Sequence, residues 1–307
     1  MKSFSFLRPQ ELILIGVTIL WGGTFLIIKQ AVHQSGPLFF VGFRFFIAAV
    51  IVAIVFHKAL KGLSKKEIIG GTAIGLSIYL GYGLQTMGLQ SINSSQSAFI
   101  TALYVPFVPL LQWGVLKRRP SLGSWIGAAL CFIGLILIKD PQNIGFSFSF
   151  GEIITIIAAF FIAIEIILIG KFAPEVDSRR LTLVQLIVAS IAAFITMPIL
   201  GEPIPQFSPI WFWAAVALGT MTALIQLAMN WAQKSVSPTK ATIIYAGEPI
   251  WAGLFGRMAG ERFGPFALLG AALIIAGILI SQLLPTSLRN KLSAPSDDKS
   301  KDNSSNS

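Results

Sequence analysis

Ten long apolar stretches succeed one another along this chain, at about 11–31, 37–56, 67–87, 95–116, 123–139, 151–170, 181–199, 209–231, 239–257 and 264–283. A helix needs roughly 20 mostly apolar residues to cross the hydrocarbon core of a bilayer. Each stretch is continuous rather than alternating, which predicts helices and argues against the ~10-residue alternating strands of a membrane barrel. In lipid a helix also pairs its own backbone polar groups, which an isolated strand cannot do. The expected fold is therefore all-α and integral to the membrane, with ten transmembrane helices. The 123–139 stretch is short, which predicts a kinked or nearly upright helix. Charge supports the assignment: only 12% of residues are charged, about half the ~25% of soluble domains.

The positive charges are unevenly spread. With ten spans and residues 1–10 in the cytoplasm, 18 of the 23 Lys and Arg fall on the cytoplasmic side. Only Lys29, Lys139, Arg257 and Arg262 fall outside, and Arg44 lies within a span. This is the positive-inside pattern, and it places both termini in the cytoplasm of a multi-pass protein of the cytoplasmic (inner) membrane. The net charge of +10 is thereby explained by membrane topology, and no nucleic-acid partner is expected. Lys2 and Arg8 precede a ~20-residue run without an A-x-A site, so the first stretch reads as an uncleaved span rather than a signal peptide. Residues 284–307 are polar and Ser-rich, a disordered cytoplasmic tail. Cys131 is the sole cysteine, which excludes an intrachain disulfide and a CxxC metal site. His33 and His57 fall near helix ends. No metal or cofactor is expected.

The chain partly repeats itself. A shift of 143 lays "GAALCFIGLILI" (127–138) on "GAALIIAGILIS" (270–281), and Pro106 on Pro249. Glu11 meets Glu152 at a shift of 141. The period is five spans. An odd number of spans turns the second copy upside down in the membrane, and inverted repeats are a signature of secondary transporters with a midplane site. This organisation gives a first repeat at 11–139, an external linker at 140–150 and a second repeat at 151–283.

Four further stretches carry a family resemblance: "ILWGGTFLIIKQA" (19–31), "SAFITALYVPFVPLL" (97–111), "KATIIYAGEPIWAGLF" (240–255) and "AGERFGPFALLGAALIIAGILI" (259–280). They resemble the EamA-type members of the drug/metabolite transporter superfamily, over about 11–283. The resemblance implies two five-helix repeats, a central cavity, and transport of small metabolites, often export of amino acids or related compounds. The family's Gly-Glu turn is present at Gly260–Glu261, whereas the equivalent place in the first repeat holds "KRRP" (117–120). That departure argues against giving the turn a functional role.

Ionisable groups within spans are costly and mark functional sites by default. Three stand out: Arg44, Glu165 and Glu248. The alternative reading is structural, with Arg44 tying a carboxylate to a neighbouring helix. Glu248 precedes Pro249, which has no N–H for the carbonyl of Tyr245. Pro106 likewise frees the carbonyl of Ala102, and Pro109 that of Val105. Freed backbone groups at membrane depth are tolerated where they line a cavity or find other partners. Tyr79, Tyr82, Gln85, Tyr104, Gln226 and Asn230 fall at similar depth, and Trp21 and Trp251 lie deeper than the expected interfacial anchors Trp113, Trp125 and Trp211. With Tyr245 beside the break, these residues form the candidate substrate and coupling site.

The expected function is a secondary transporter working by alternating access, with a small-molecule substrate, membrane lipids as surroundings and a proton as candidate coupling ion. A monomer suffices and a homodimer is open. Two other classes compete. An intramembrane enzyme has little to recommend it, since HExxH, a GxSxG with a plausible His partner, and a GxxxxGK[ST] loop are absent from the sequence. A non-transporting sensor or assembly protein would need a signalling segment, and the loops are short.

Overall fold

The computed structural model describes residues 8–59, 61–116, 122–138, 148–262 and 264–283. The first seven residues, the "KRRP" turn, most of the linker and the 284–307 tail lie outside them. Among the described residues the chain forms twelve α-helices: α1 (Pro9–Ser35), α2 (Pro37–Val55), α3 (Lys65–Gly88), α4 (Ser94–Thr101), α5 (Tyr104–Leu116), α6 (Leu122–Ile138), α7 (Phe150–Phe172), α8 (Ser178–Ile199), α9 (Pro209–Ala232), α10 (Pro238–Tyr245), α11 (Glu248–Met258) and α12 (Pro265–Leu283). Local signals start them. Ser64 with Glu67, and Ser149 with Glu152, form capping boxes at α3 and α7. Proline occupies the first turn of α1, α2, α9, α10 and α11, where its missing N–H costs nothing.

Seven stretches are long and apolar enough to cross a membrane, Ser94–Gly114 counting as one; shorter apolar helices lie at Trp125–Gly134 and Pro265–Ile280. The 239–257 stretch, expected as one span, is divided between α10 and α11. The 95–116 stretch is likewise divided between α4 and α5. Both breaks fall two to four residues before a proline that withholds an N–H from the preceding turn.

The packing has a two-fold character. α1 lies against α9 and α11, and α7 lies against α3 and the α4–α5 pair. α2 contacts α9 as α8 contacts α3. Equivalent helices of the two halves cross antiparallel. A Cβ on Gly134 would lie 2.5 Å from the Gly270 carbonyl, and one on Gly277 would lie 2.6 Å from that of Gly127. Between them Cys131 Sγ reaches the Ile274 carbonyl at 3.6 Å. As α6 ascends, α12 therefore descends, and the absence of side chains at Gly134 and Gly277 lets the backbones touch. The same reversal holds for α2 and α8: Ser190 Oγ donates to the Gly42 carbonyl at 2.9 Å, while Arg179, at the start of α8, lies 5.9 Å from the Phe56 ring just past the end of α2.

Of the three tryptophans expected as interfacial anchors, Trp113 and Trp125 are exposed and Trp211 is buried. Its Nε1 donates to the Gln206 carbonyl at 3.0 Å, and its ring packs edge-on to Phe39 and Phe43. The tryptophan satisfies its one donor within the fold and so needs no water or headgroup.

Candidate functional site

The two helix breaks meet between the halves. Tyr104, the first residue of α5, points its hydroxyl at the first residue of α11. Its Oη lies 2.9 Å from the Tyr245 carbonyl and 3.1 Å from Glu248 Oε2. The carbonyl that Pro249 deprives of a helical partner is thus taken up by a side chain of the opposite half. The Ala102 carbonyl, expected to be left open by Pro106, is instead taken by the Val105 N–H at 3.0 Å. The chain tightens by one residue there, as helix ends commonly do.

Around this junction lies a small cavity lined by Trp21, Thr24, Phe25, Tyr82, Gln85, Ile162 and Glu248. Its free volume of about 10 Å³ is on the scale of one water molecule. Trp21 sets its edge on Tyr245 with ring centroids 5.0 Å apart. Gln85 Nε2 donates to Thr101 Oγ1 at 3.0 Å, which holds α3 to the end of α4.

Arg44, Glu165 and Glu248 are all buried. Among the described residues no carboxylate lies within 4 Å of Arg44. Its Nε donates to Thr222 Oγ1 at 2.6 Å, and its guanidinium carbon lies 5.8 Å from the centroids of Phe45 and Tyr82. The ion pair weighed for Arg44 does not form; rings and a hydroxyl hold the cation instead. Glu165 Oε1 accepts from Gln226 Nε2 at 2.9 Å, while Oε2 has no partner. Gln226 bonds Glu165 directly, and Asn230, one turn further on, bonds the Gln226 carbonyl at 3.0 Å.

Two expected residues fall outside the cluster. Tyr79 is half-buried and packs against the apolar core. Trp251 is half-buried on the seam where α11 meets α1, with its Cβ 2.6 Å from where Gly22 would carry one. Pro106 and Pro249 follow the two breaks within four residues, whereas Pro109 lies inside α5 and does not divide it. Conversely, the sequence reading missed Thr24, Thr101, Thr182, Gln185, Thr222 and Gln233. One signal was available: Thr222, Gln226, Asn230 and Gln233 recur at spacings of four, four and three, which is one helical face.

Of the three charged residues, Glu248 lines the cavity, Arg44 stands beside its Tyr82 wall, and Glu165 is held by Gln226. That set suits a small molecule carrying both charges, and a proton can occupy either carboxyl.

A family model described as the EamA-like transporter family matches residues 9–139 and again 149–283. An "uncharacterized transporter" of Archaeoglobus fulgidus is 29% identical over 276 residues, covering 87% of this chain and 83% of its own. A protein of Chlamydia muridarum named as an S-adenosylmethionine/S-adenosylhomocysteine transporter is 23% identical over 290 residues, covering 89% of this chain and 91% of its own. A solved crystal structure shares the fold with a TM-score of 0.68 at 18% identity, over 90% of this chain and 99% of that one.

Proposed function

The chain belongs to the EamA-like transporter family, and on that premise we propose that it is a proton-coupled secondary transporter exporting amino acids or related compounds. Ten membrane crossings in two inverted five-helix repeats are proposed, with α4–α5 and α10–α11 each forming one broken span. The antiparallel crossing of α6 with α12 supports the inversion. The single observation that carries the reading is the junction of the two breaks, where Tyr104 of one repeat bonds both Tyr245 and Glu248 of the other. A site shared by both repeats is altered whenever one repeat rocks against the other, which is the requirement of alternating access. One chain supplies both repeats, so transport needs no second copy.

Arg44 is the proposed partner of a substrate carboxylate, Glu248 and Glu165 those of its ammonium group or of the coupling proton, and Trp21 and Tyr82 the apolar wall. The basic end of the bundle, carrying Arg179, Arg180 and Lys234, is proposed to face the cytoplasm.

Flux into or out of reconstituted vesicles tests this, with a panel of amino acids plus S-adenosylmethionine and S-adenosylhomocysteine, the pair named for one relative. Wild type is expected to move at least one compound down an imposed pH gradient, and Glu248→Gln or Glu165→Gln to abolish that drive. Full pH-driven flux in both variants would remove proton coupling. No flux of any panel compound by wild type would remove the transport assignment for this substrate class.

A further inference from the structure

Behind the cavity the structure holds an unbroken line of buried polar side chains. Gln226 Nε2 donates to Glu165 Oε1 at 2.9 Å, and Gln185 Nε2 donates to Gln226 Oε1 at 2.7 Å. Asn230 Nδ2 donates to Gln185 Oε1 at 3.1 Å and to Thr182 Oγ1 at 2.8 Å. Thr182 Oγ1 donates to the Ser178 carbonyl at 2.7 Å. Ser178 lines an open pocket of about 380 Å³ together with Phe56, Asp177, Arg179, Leu227, Trp231 and Lys234. The line therefore runs from Glu165 to the basic end of the bundle, between α8 and α9.

Three buried polar atoms along it lack partners: Glu165 Oε2 at one end, Asn230 Oδ1 in the middle and Ser178 Oγ at the other. Buried polar groups are nearly always satisfied, by protein or by ordered water. Apolar side chains would fill the same helix interface at less cost. Unpartnered buried polar atoms beside a run of amides are where ordered water finds hydrogen-bond partners.

We propose that this line is the wall of a water path along which the coupling proton passes between the basic-end pocket and Glu165, a proposal that rests on the proton-coupled transport assigned above. The amides do not carry the proton. They hold waters that hand it from hydronium at the pocket to Glu165 Oε2, one proton per carboxylate neutralised, and return it when the carboxyl ionises.

The charged and titratable groups around Glu165 are consistent with a single approach. Tyr82 on α3, Tyr245 on α10 and Glu248 on α11 lie on the cavity side, with Arg44 of α2 beside Tyr82. Toward α8 and α9 the line is uncharged until it reaches Arg179, Asp177 and Lys234 at the pocket. There the Arg179 side chain holds Asp177 down at about 2, so the mouth keeps a fixed ion pair across the working pH range.

The test does not need the substrate. Thr182→Cys and Asn230→Cys are made in full-length Cys131→Ser protein, reconstituted in vesicles, and exposed to a charged, membrane-impermeant methanethiosulfonate on one face at a time. Lys234→Cys, in the pocket, marks the wet reference, and lipid-facing Leu224→Cys, 60% exposed in the fold, marks the dry one. Only a hydrated thiol forms the reactive thiolate readily, and each unit of raised thiol pKa lowers its fraction roughly tenfold. Both path cysteines are expected to react roughly tenfold or more faster than Leu224→Cys, and from the same face as Lys234→Cys. Rates at the Leu224→Cys level from both faces, in monodisperse protein, would overturn the path. Thr182→Cys nearly conserves volume and keeps the test usable should Asn230→Cys fail to fold. The two assignments separate cleanly. Modification without flux of any panel compound leaves the water path standing and removes transport of this substrate class; flux without modification removes the water path and leaves transport standing.

Discussion

Tyr104 has one hydroxyl proton and two acceptors within reach, the Tyr245 carbonyl and Glu248 Oε2. A proton residing on Glu248 would satisfy the second contact, and losing it would leave two acceptors competing for one donor. The residue is thus both a strut between the repeats and a reporter of the charge on Glu248. Tyr104→Phe removes the hydroxyl that reaches both acceptors, and stranding buried acceptors costs about 1–3 kcal/mol. A lowered apparent Tm in detergent is expected, together with slowed pH-driven flux; an unchanged Tm would show that the hydroxyl ties nothing. Charge made part of this site legible in advance. Arg44, Glu165 and Glu248 announce themselves because ionisable groups are expensive in lipid. Gln185, Thr182 and Thr222 do not, because a neutral polar residue within a span can bond its own backbone, as Thr182 does in part. Their partners sit on other helices, and no local pattern reveals which helices meet.

The helix ends explain a sequence asymmetry. α10 is capped by its own Ser237, whose side chain accepts from the Lys240 N–H. α4 has Asn93 at that position, and its side chain is turned away to accept from Lys29 at 2.9 Å. Glu261 closes the gap from the other repeat: its carboxylate accepts from the backbone N–H groups of Ser94 and Ser95, at 3.1 and 3.2 Å, and from both hydroxyls. The Gly-Glu turn therefore caps a helix of the opposite repeat, and the second repeat's self-capping α10 has no need of an equivalent. Burial would raise the Glu261 carboxyl, but the hydrogen bonds from Ser94 and Ser95 outweigh it and hold the group below its ordinary value. A carboxyl depressed in the folded state stabilises the fold above its unfolded value of about 4.3 and loses that contribution as pH falls through the folded value. Acid below about pH 4 is thus expected to loosen α4. Glu261→Ala should cost about 0.5–2 kcal/mol at neutral pH and flatten the acid limb of a Tm-versus-pH curve; an unaltered acid limb would place the acid sensitivity elsewhere. The element boundaries were harder to foresee than the elements. Apolarity and length marked 95–116 and 239–257 as single spans, and the prolines marked strain within them. Whether a proline kinks a helix or splits it depends on what takes up the freed carbonyl, and Tyr104 lies some 140 positions away from Tyr245 in the chain.

At the scale of the whole molecule the two repeats hold each other by matched contacts at opposite ends. Glu11 at the start of α1 accepts from Lys240 Nζ at the start of α10, at 2.6 Å. Glu152 at the start of α7 accepts from Gln96 Nε2 in α4, at 2.8 Å. In each case an acid opening one repeat's first helix grips the start of the other repeat's broken span. The duplication made Glu11 and Glu152 equivalent in sequence, but not what they grip. Because α4–α5 and α10–α11 run antiparallel, as the pairs Tyr104–Tyr245 and Gln112–Thr239 show, these two clasps sit at opposite faces. One closes the basic end and the other the far end, so weakening either should bias the molecule toward opening on that side. Lys240 is half exposed in its side chain, and such partly solvated contacts are worth about 0.2–1 kcal/mol. The corresponding shift in the balance of open states is about 1.4-fold to fivefold. A reporter cysteine at Thr24, in the central cavity, reads that balance without a substrate. In Cys131→Ser protein carrying Thr24→Cys, Lys240→Met should speed modification from the basic face and slow it from the far face, and Gln96→Leu should do the opposite. Two shifts of the same sign, or none, would mean that the clasps stabilise the fold without choosing between its faces. Opposite signs would tie the duplicated acids to the rocking of one repeat against the other, the motion that a site built at their junction requires.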